Sequence, residues 1–187
     1  MKTIILVLTL YLMTGLLAAS AETVVYDEIP LTYPWSGLMG SDGGSDSLTV
    51  DPFSDEDPHS GDICARATYD SSAEAWAGVF VQATGDWRRG PGIGLDLTGS
   101  QTLSFAARGG RGGEVVTFGY GYEPDRNGVA DSASDDMKVT LTDGWREFAI
   151  DLGGRDLSSI SGLFSLRLDG GDNPEGATIY VDDIRYT

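Results

Sequence analysis

Residues 75–82 hold the side chains best suited to gripping a hydroxylated ligand. Ala75, Ala77, Val79 and Val81 form one alternating set, and Trp76, Phe80 and Gln82 belong to the complementary one. If the apolar set faces a core, the complementary set faces outward. The same parity turns Arg108 outward from the run that begins at Leu103. It also turns Arg167 outward from the run containing Phe164, Leu166 and Leu168. Aromatic rings stack on the apolar faces of sugar rings, while amides and guanidinium groups bond the hydroxyls. Trp76, Phe80, Gln82, Arg108 and Arg167 are therefore expected on one sheet face. Trp35 and Trp87, in segments without strand patterning, are candidates for its rim. The alternative is that Trp76 and Phe80 pack beneath residues 29–60. Trp145, at the start of an ordinary strand pattern, is assigned to the core.

Catalysis finds little support. Cys64 and His59 are the only residues of their kinds. Cys64 sits in the alternating run 63–67 and reads as a small strand residue. His59 lies in a Pro/Asp/Gly-rich stretch. No histidine cluster, phosphate-binding loop or serine-centred elbow is present. With 29 acidic residues, chance carboxylate pairs are unavoidable, so no enzyme is expected. Residues 51–62 and 125–136 are acidic but lack the glycine and glutamate spacing of a twelve-residue calcium loop. Residues 108–113, Arg-Gly-Gly-Arg-Gly-Gly, read as a glycine-rich hairpin connection rather than an RNA-binding box.

These groups need strands to position them. The sequence has 187 residues and a formal net charge of −17. Lys2, an apolar run over 4–17 and Ala19-Ser20-Ala21 have the pattern of a secretory leader cut before Glu22. An uncleaved N-terminal anchor is the alternative. Cleavage removes Lys2 and no acid. Residues 22–187 then carry 11 basic against 29 acidic residues, a net charge of −18. That charge argues against nucleic acid and anionic membranes as partners. A single cysteine leaves no internal disulfide, so stability must come from the core. Period-two alternation recurs in about nine short runs separated by Gly, Pro and Asp turn signals. The pattern predicts one all-β domain over 22–187, an antiparallel two-sheet sandwich or jelly roll. Residues 29–60 read as a long acidic loop.

The run Gly176-Ala177-Thr178-Ile179-Tyr180-Val181-Asp182-Asp183-Ile184-Arg185-Tyr186 resembles the last strand of carbohydrate-binding modules with the galactose-binding-like jelly-roll fold. Val25-Tyr26-Asp27-Glu28 is similar to their acidic first strand. His59-Ser60-Gly61-Asp62 is similar to the turn before their second core strand. Gly144-Trp145-Arg146-Glu147-Phe148 and Ile150-Asp151-Leu152 resemble a late segment, and Trp76 to Gln82 followed by Trp87 resembles a subset of these modules.

The resemblance implies a secreted or cell-envelope module that binds a polysaccharide or glycan without catalysis. It also implies a structural calcium ion between the first and last strands. Glu28 and Asp182 are its favoured ligands, with Asp27 and Asp183 as second choices and carbonyls of residues Ser60 to Asp62 as additional donors. The alternative for the acids is that they merely sit at strand ends in an acidic protein. The alternative for the whole chain is a structural or adhesive envelope sandwich that binds no sugar.

Overall fold

Alternating apolar residues resolve into eleven strands among the described residues, which are 22–28, 31–41, 46–84, 92–124 and 130–187 of a computed structural model. They are β1 (Thr23–Tyr26), β2 (Trp35–Gly40), β3 (Leu48–Ser54), β4 (Cys64–Tyr69), β5 (Trp76–Gln82) and β6 (Thr102–Gly109). β7 (Val115–Tyr120), β8 (Asp135–Thr140), β9 (Arg146–Asp151), β10 (Gly162–Asp169) and β11 (Ala177–Tyr186) complete the set. One sheet has the order β3-β4-β11-β6-β9, with β1 also paired to β11, and the other has the order β2-β5-β10-β7-β8. Every pairing is antiparallel. We call them sheet A and sheet B. The fold is the expected jelly-roll sandwich, and its first and last strands are neighbours.

The alternating apolar sets meet between the sheets. Phe105 of sheet A lies 4.7 Å from Phe118 and 5.1 Å from Phe164, both of sheet B. All three rings are essentially inaccessible. Full burial of a side chain this size contributes about 1.5–3 kcal/mol, so this cluster is a main bond between the layers. Tyr186 adds a polar tie, its buried hydroxyl donating to the Leu163 carbonyl at 2.8 Å.

Residues 29–60 are not one loop, because they contain β2 and β3. Both are edge strands with irregular register, β2 between Ser36 and Met39 and β3 between Asp51 and Ser54. β3 also carries Pro52, which an edge strand tolerates because one side of its ladder is open. Bulges and proline break the period-two signal. The connection 108–113 is not a hairpin either. It crosses from β6 in sheet A to β7 in sheet B, which do not pair. Trp35 is likewise no rim residue. It sits in β2 with its ring edge-on to Tyr26 at 5.7 Å and to Phe164 at 6.3 Å.

Candidate functional site

Register decides what the outer face of sheet B presents. Phe80 pairs with Ser36 on one side and Ser165 on the other, and Ser165 pairs in turn with Gly119, which pairs with Asp136. The next row runs Met39, Gly78, Arg167, Thr117, Lys138. Direct partners in an antiparallel ladder share a face, so the two rows lie side by side across all five strands. Gly78 and Gly119 bring no side chain to them. A Cβ at Gly78 would lie 2.9 Å from the Leu166 carbonyl, and one at Gly119 would lie 2.7 Å from that of Asp135. The result is a groove of about 400 Å³ with a low polar floor.

Phe80 and Tyr122 wall the groove. Their ring centroids are 4.3 Å apart. A Cβ at Gly162 would touch both rings at 3.1–3.2 Å, so the glycine leaves room for the pair. Behind them Ser36 donates to Gln82 Oε1 at 2.6 Å, and Gln82 Nε2 donates to the Tyr122 hydroxyl. Phe80 is 8% exposed and Gln82 only 2%. Both point outward, as parity requires, but Tyr122 covers them. At the other margin the Arg167 guanidinium lies 4.7 Å over the half-buried Trp76 ring and donates to Asp169 at 2.8 Å. Lys138 is paired with Asp172 at 2.5 Å, and Arg155 with Asp135. These described cations near the groove are thus neutralised in place.

Arg108 is a correction. It does point away from the core, but from sheet A, so the platform of Trp76, Phe80, Gln82 and Arg167 does not include it. Its guanidinium lies 3.7 Å over Tyr180 and 5.2 Å from the Trp145 ring, and donates to the Glu56 carbonyl at 2.6 Å. Trp145 is corrected too. It is half-buried on this outer surface, its indole N–H donating to the Asp57 carbonyl at 2.8 Å. Together they staple residues 55–60 over sheet A. Trp87 lies outside the described residues, as do residues 1–21.

A second cluster joins the first strand to the last. One carboxylate oxygen each from Asp27, Asp182 and Asp183 lies within 4.8 Å of the others. Two oxygens bound to one calcium ion at 2.3–2.6 Å are separated by no more than about 5 Å, so this donor set fits a hard cation. Two register shifts create it. β1 slips between Val24 and Tyr26, and β11 slips between Asp182 and Arg185, with Asp183 at a φ of 53°.

Asp182 is fully buried. Its carboxylate accepts the N–H groups of His59 at 3.0 Å, Ser60 at 3.1 Å and Asp183 at 2.8 Å. Burial nonetheless pushes its pKa up to about 6, the three N–H groups offsetting only part of the desolvation. Asp183 is surrounded by His59 Nδ1 at 2.6 Å, the Ser60 hydroxyl at 3.0 Å and Arg185 at 2.6 Å. Arg185 also donates to Asp27 at 2.9 Å.

Glu28, one of the two favoured ligands, is not in the cluster. It accepts the Asp62 N–H at 2.7 Å, which closes the 28–62 corner. The Asp62 carboxylate is not grouped with the three either. Ser60 contributes donors to the carboxylates.

No family model and no curated relative matches the sequence. The three-dimensional comparison does find matches. A family 30 carbohydrate-binding module superposes with a TM-score of 0.62 at 19% identity, covering 89% of this chain and 87% of that one. A family 11 module of a cellulosomal cellulase from Clostridium thermocellum gives 0.62 at 15% identity, over 90% and 95% of the two chains. A xylan-binding domain from Paenibacillus barcinonensis gives 0.50 at 14% identity, over 90% and 96%. This chain has the fold of carbohydrate-binding modules.

Sequence parity missed Tyr122. It continues the alternation of Val116, Phe118 and Tyr120 and so reads as a core residue. Gly121 reverses that, with a φ of 72° that an L side chain rarely adopts. A Cβ there would sit 2.1 Å from the Ala133 carbonyl. The turn throws Tyr122 onto the outer face. A glycine between two tyrosines at the end of an alternating run was the available signal.

Beside this groove, Trp76→Ala is expected to change stability by about 1 kcal/mol or less, because the ring is only partly buried and the Arg167 guanidinium lies over it. Denaturant titration provides the check. A loss of roughly 3–5 kcal/mol, the cost of deleting a core aromatic, would mark Trp76 as a packing residue instead.

Proposed function

We propose that residues 22–187 form an exported, non-catalytic polysaccharide-binding module that lays a neutral glycan across sheet B. The carrying observation is the groove itself. It crosses five strands, about 19 Å at the usual strand spacing, so it suits a run of sugar rings. Phe80 and Tyr122, 8% and 4% exposed, offer ring edges for a sugar to pack against, and Thr117, Ser165 and Asp136 offer hydroxyl partners on or beside the floor. The described cations around it are paired, which favours an uncharged ligand over a polyanion. The fold supports the same reading, since a family 11 module with 15% identity to this chain is in complex with a β-1,3-1,4-mixed-linked tetrasaccharide.

The envelope-sandwich alternative draws support from the low exposure of Phe80 and Gln82. Phe80 packs on Tyr122 of the groove wall, and Gln82 is bonded both by Tyr122 and by Ser36 of β2, within residues 29–60. A glycan array probed with residues 22–187, with and without calcium, tests the proposal. Retention of one or more neutral polysaccharides supports it, and retention of none sinks it. Mass spectrometry of secreted material should show a chain beginning at Glu22.

The same reading includes calcium. Asp27, Asp182 and Asp183 would hold it, and its charge would offset carboxylates that Arg185 alone leaves under-neutralised. The ion would share Asp27 and Asp183 with Arg185 or displace it. Its service would be structural, fastening β1 and residues 59–62 to β11. Calcium at a hundred times its dissociation constant should stabilise the fold by about 2.7 kcal/mol, read as a higher melting temperature. Asp27→Asn should shrink the rise, whereas Glu28→Gln should not. A melting curve indifferent to both calcium and chelator would remove the site.

A further inference from the structure

We infer that Asp131 is the positioning residue of the groove, its buried carboxylate setting Tyr122 against Phe80. The inference rests on the proposed glycan site only for what the wall is used for. Asp131 is 8% exposed. Its Oδ2 accepts the Tyr122 N–H at 3.0 Å and the Gly162 N–H at 2.9 Å, and its Oδ1 accepts the Ser161 hydroxyl at 2.5 Å. Its own N–H donates to the Tyr122 carbonyl at 3.1 Å. Both backbone groups of Tyr122 are therefore held by this one residue.

The place explains the need. The β7–β10 ladder pairs Thr117, Phe118 and Gly119 with Arg167, Leu166 and Ser165. Gly121 N–H then donates to the Gly162 carbonyl at 2.7 Å, just as the chain turns at its positive φ. Past that point the Tyr122 N–H and the Gly162 N–H both need an acceptor, because a buried donor without one is costly. Asp131 Oδ2 serves both. It thereby ties the segment after β7 to the start of β10, where Phe80 and Tyr122 meet over Gly162. The aromatic wall is thus fixed by a carboxylate that touches neither ring.

What the geometry requires is an acceptor, not a charge. Asparagine can place its oxygen where Oδ2 stands and turn its NH2 toward the Ser161 hydroxyl, which then accepts. Alanine can do neither. The test uses aromatic NOEs together with affinity electrophoresis on soluble mixed-linkage β-glucan and xylan. Asp131→Ala should lose the Tyr122–Phe80 NOEs, keep those of Phe105–Phe118, and weaken retention at least tenfold. Asp131→Asn should restore both properties. In a Tyr122→Ala background, Asp131→Ala should cost no further binding.

The inference is overturned if the Tyr122–Phe80 NOEs survive in Asp131→Ala. It is equally overturned if asparagine is as harmful as alanine, if the Phe105–Phe118 NOEs vanish as well, or if the loss of binding recurs without Tyr122. Should the wild-type protein bind neither polysaccharide, these two probes give the glycan reading no support. The NOE arm then still decides the role of Asp131.

Discussion

Asp182→Ala is expected to lower stability by about 3–5 kcal/mol at pH 5, because it empties a fully buried carboxylate site and strips three partly buried N–H groups of their acceptor. In a domain of this size that corresponds to a fall in melting temperature on the order of 10 °C. The loss should be smaller at pH 7, and the sign follows from the direction of the pKa. Burial pushes the Asp182 carboxyl up to about 6 from its ordinary 3.8. Between those values the folded protein holds a proton that the unfolded chain has released. Its contribution to stability therefore grows as pH falls through 6 and is complete below about 4. About two pH units correspond to roughly 2–3 kcal/mol.

Asp183 works in the opposite sense. Burial raises its pKa, but bonds from His59, Arg185 and Ser60 outweigh that and hold it below 3.8. Its contribution is present above the ordinary value and is lost as pH falls through the lowered one. The chelator-treated protein should accordingly melt higher at pH 5 than at pH 7, and lower again below about pH 4. Asp182→Asn should flatten the rise between 7 and 5. Thermal melts across that range provide the check, and a stability that climbs steadily from pH 5 to 7 would contradict the assignment.

Phe80→Ala should have the largest effect on binding, with a substantial cost in stability beside it. Phe80 is nearly buried against Tyr122 and Gly162, so truncation should cost roughly 2–3 kcal/mol. It also removes the partner that holds the Tyr122 ring in place, and the groove loses its wall. Retention of any glycan bound by the wild type should fall below detection while the fold survives at 25 °C. Denaturant titration separates the two effects. Phe80→Leu is the informative companion, since it keeps most of the buried volume but not the aromatic ring edge. Binding unchanged in Phe80→Leu would place the aromatic contact elsewhere on the face.

The two sheets were largely legible in the sequence because period-two alternation records which side of a strand meets the core. The core sets of β5, β6, β7 and β10 are those the alternation marks, and the terminal strands pair. β2 and β3 were illegible for a physical reason. An edge strand with a bulge or a proline carries little periodic signal, and its partner's ladder supplies the order that its own residues do not show. Tyr122 failed differently. One positive-φ glycine inverted its side, and that conformation depends on the fit beneath the Ala133 carbonyl.

Parity therefore determined that Trp76, Phe80, Gln82, Arg167 and Arg108 all turn away from the core. It could not determine that Arg108 does so from the other layer, because alternation encodes inside and outside but not which sheet a strand joins. The acidic cluster shows the same division. Asp27, Asp182 and Asp183 stand in the sequence as residues of first and last strands. Choosing Asp27 over Glu28 required two register shifts, and these arise from pairing between strands far apart in the sequence, β1 with β11 and β11 with β6. Composition and alternation marked most of the strands and their core-facing sides. The groove, its wall and the carboxylate cluster exist only once long-range pairing sets register, because that is what brings side chains from distant strands onto one surface.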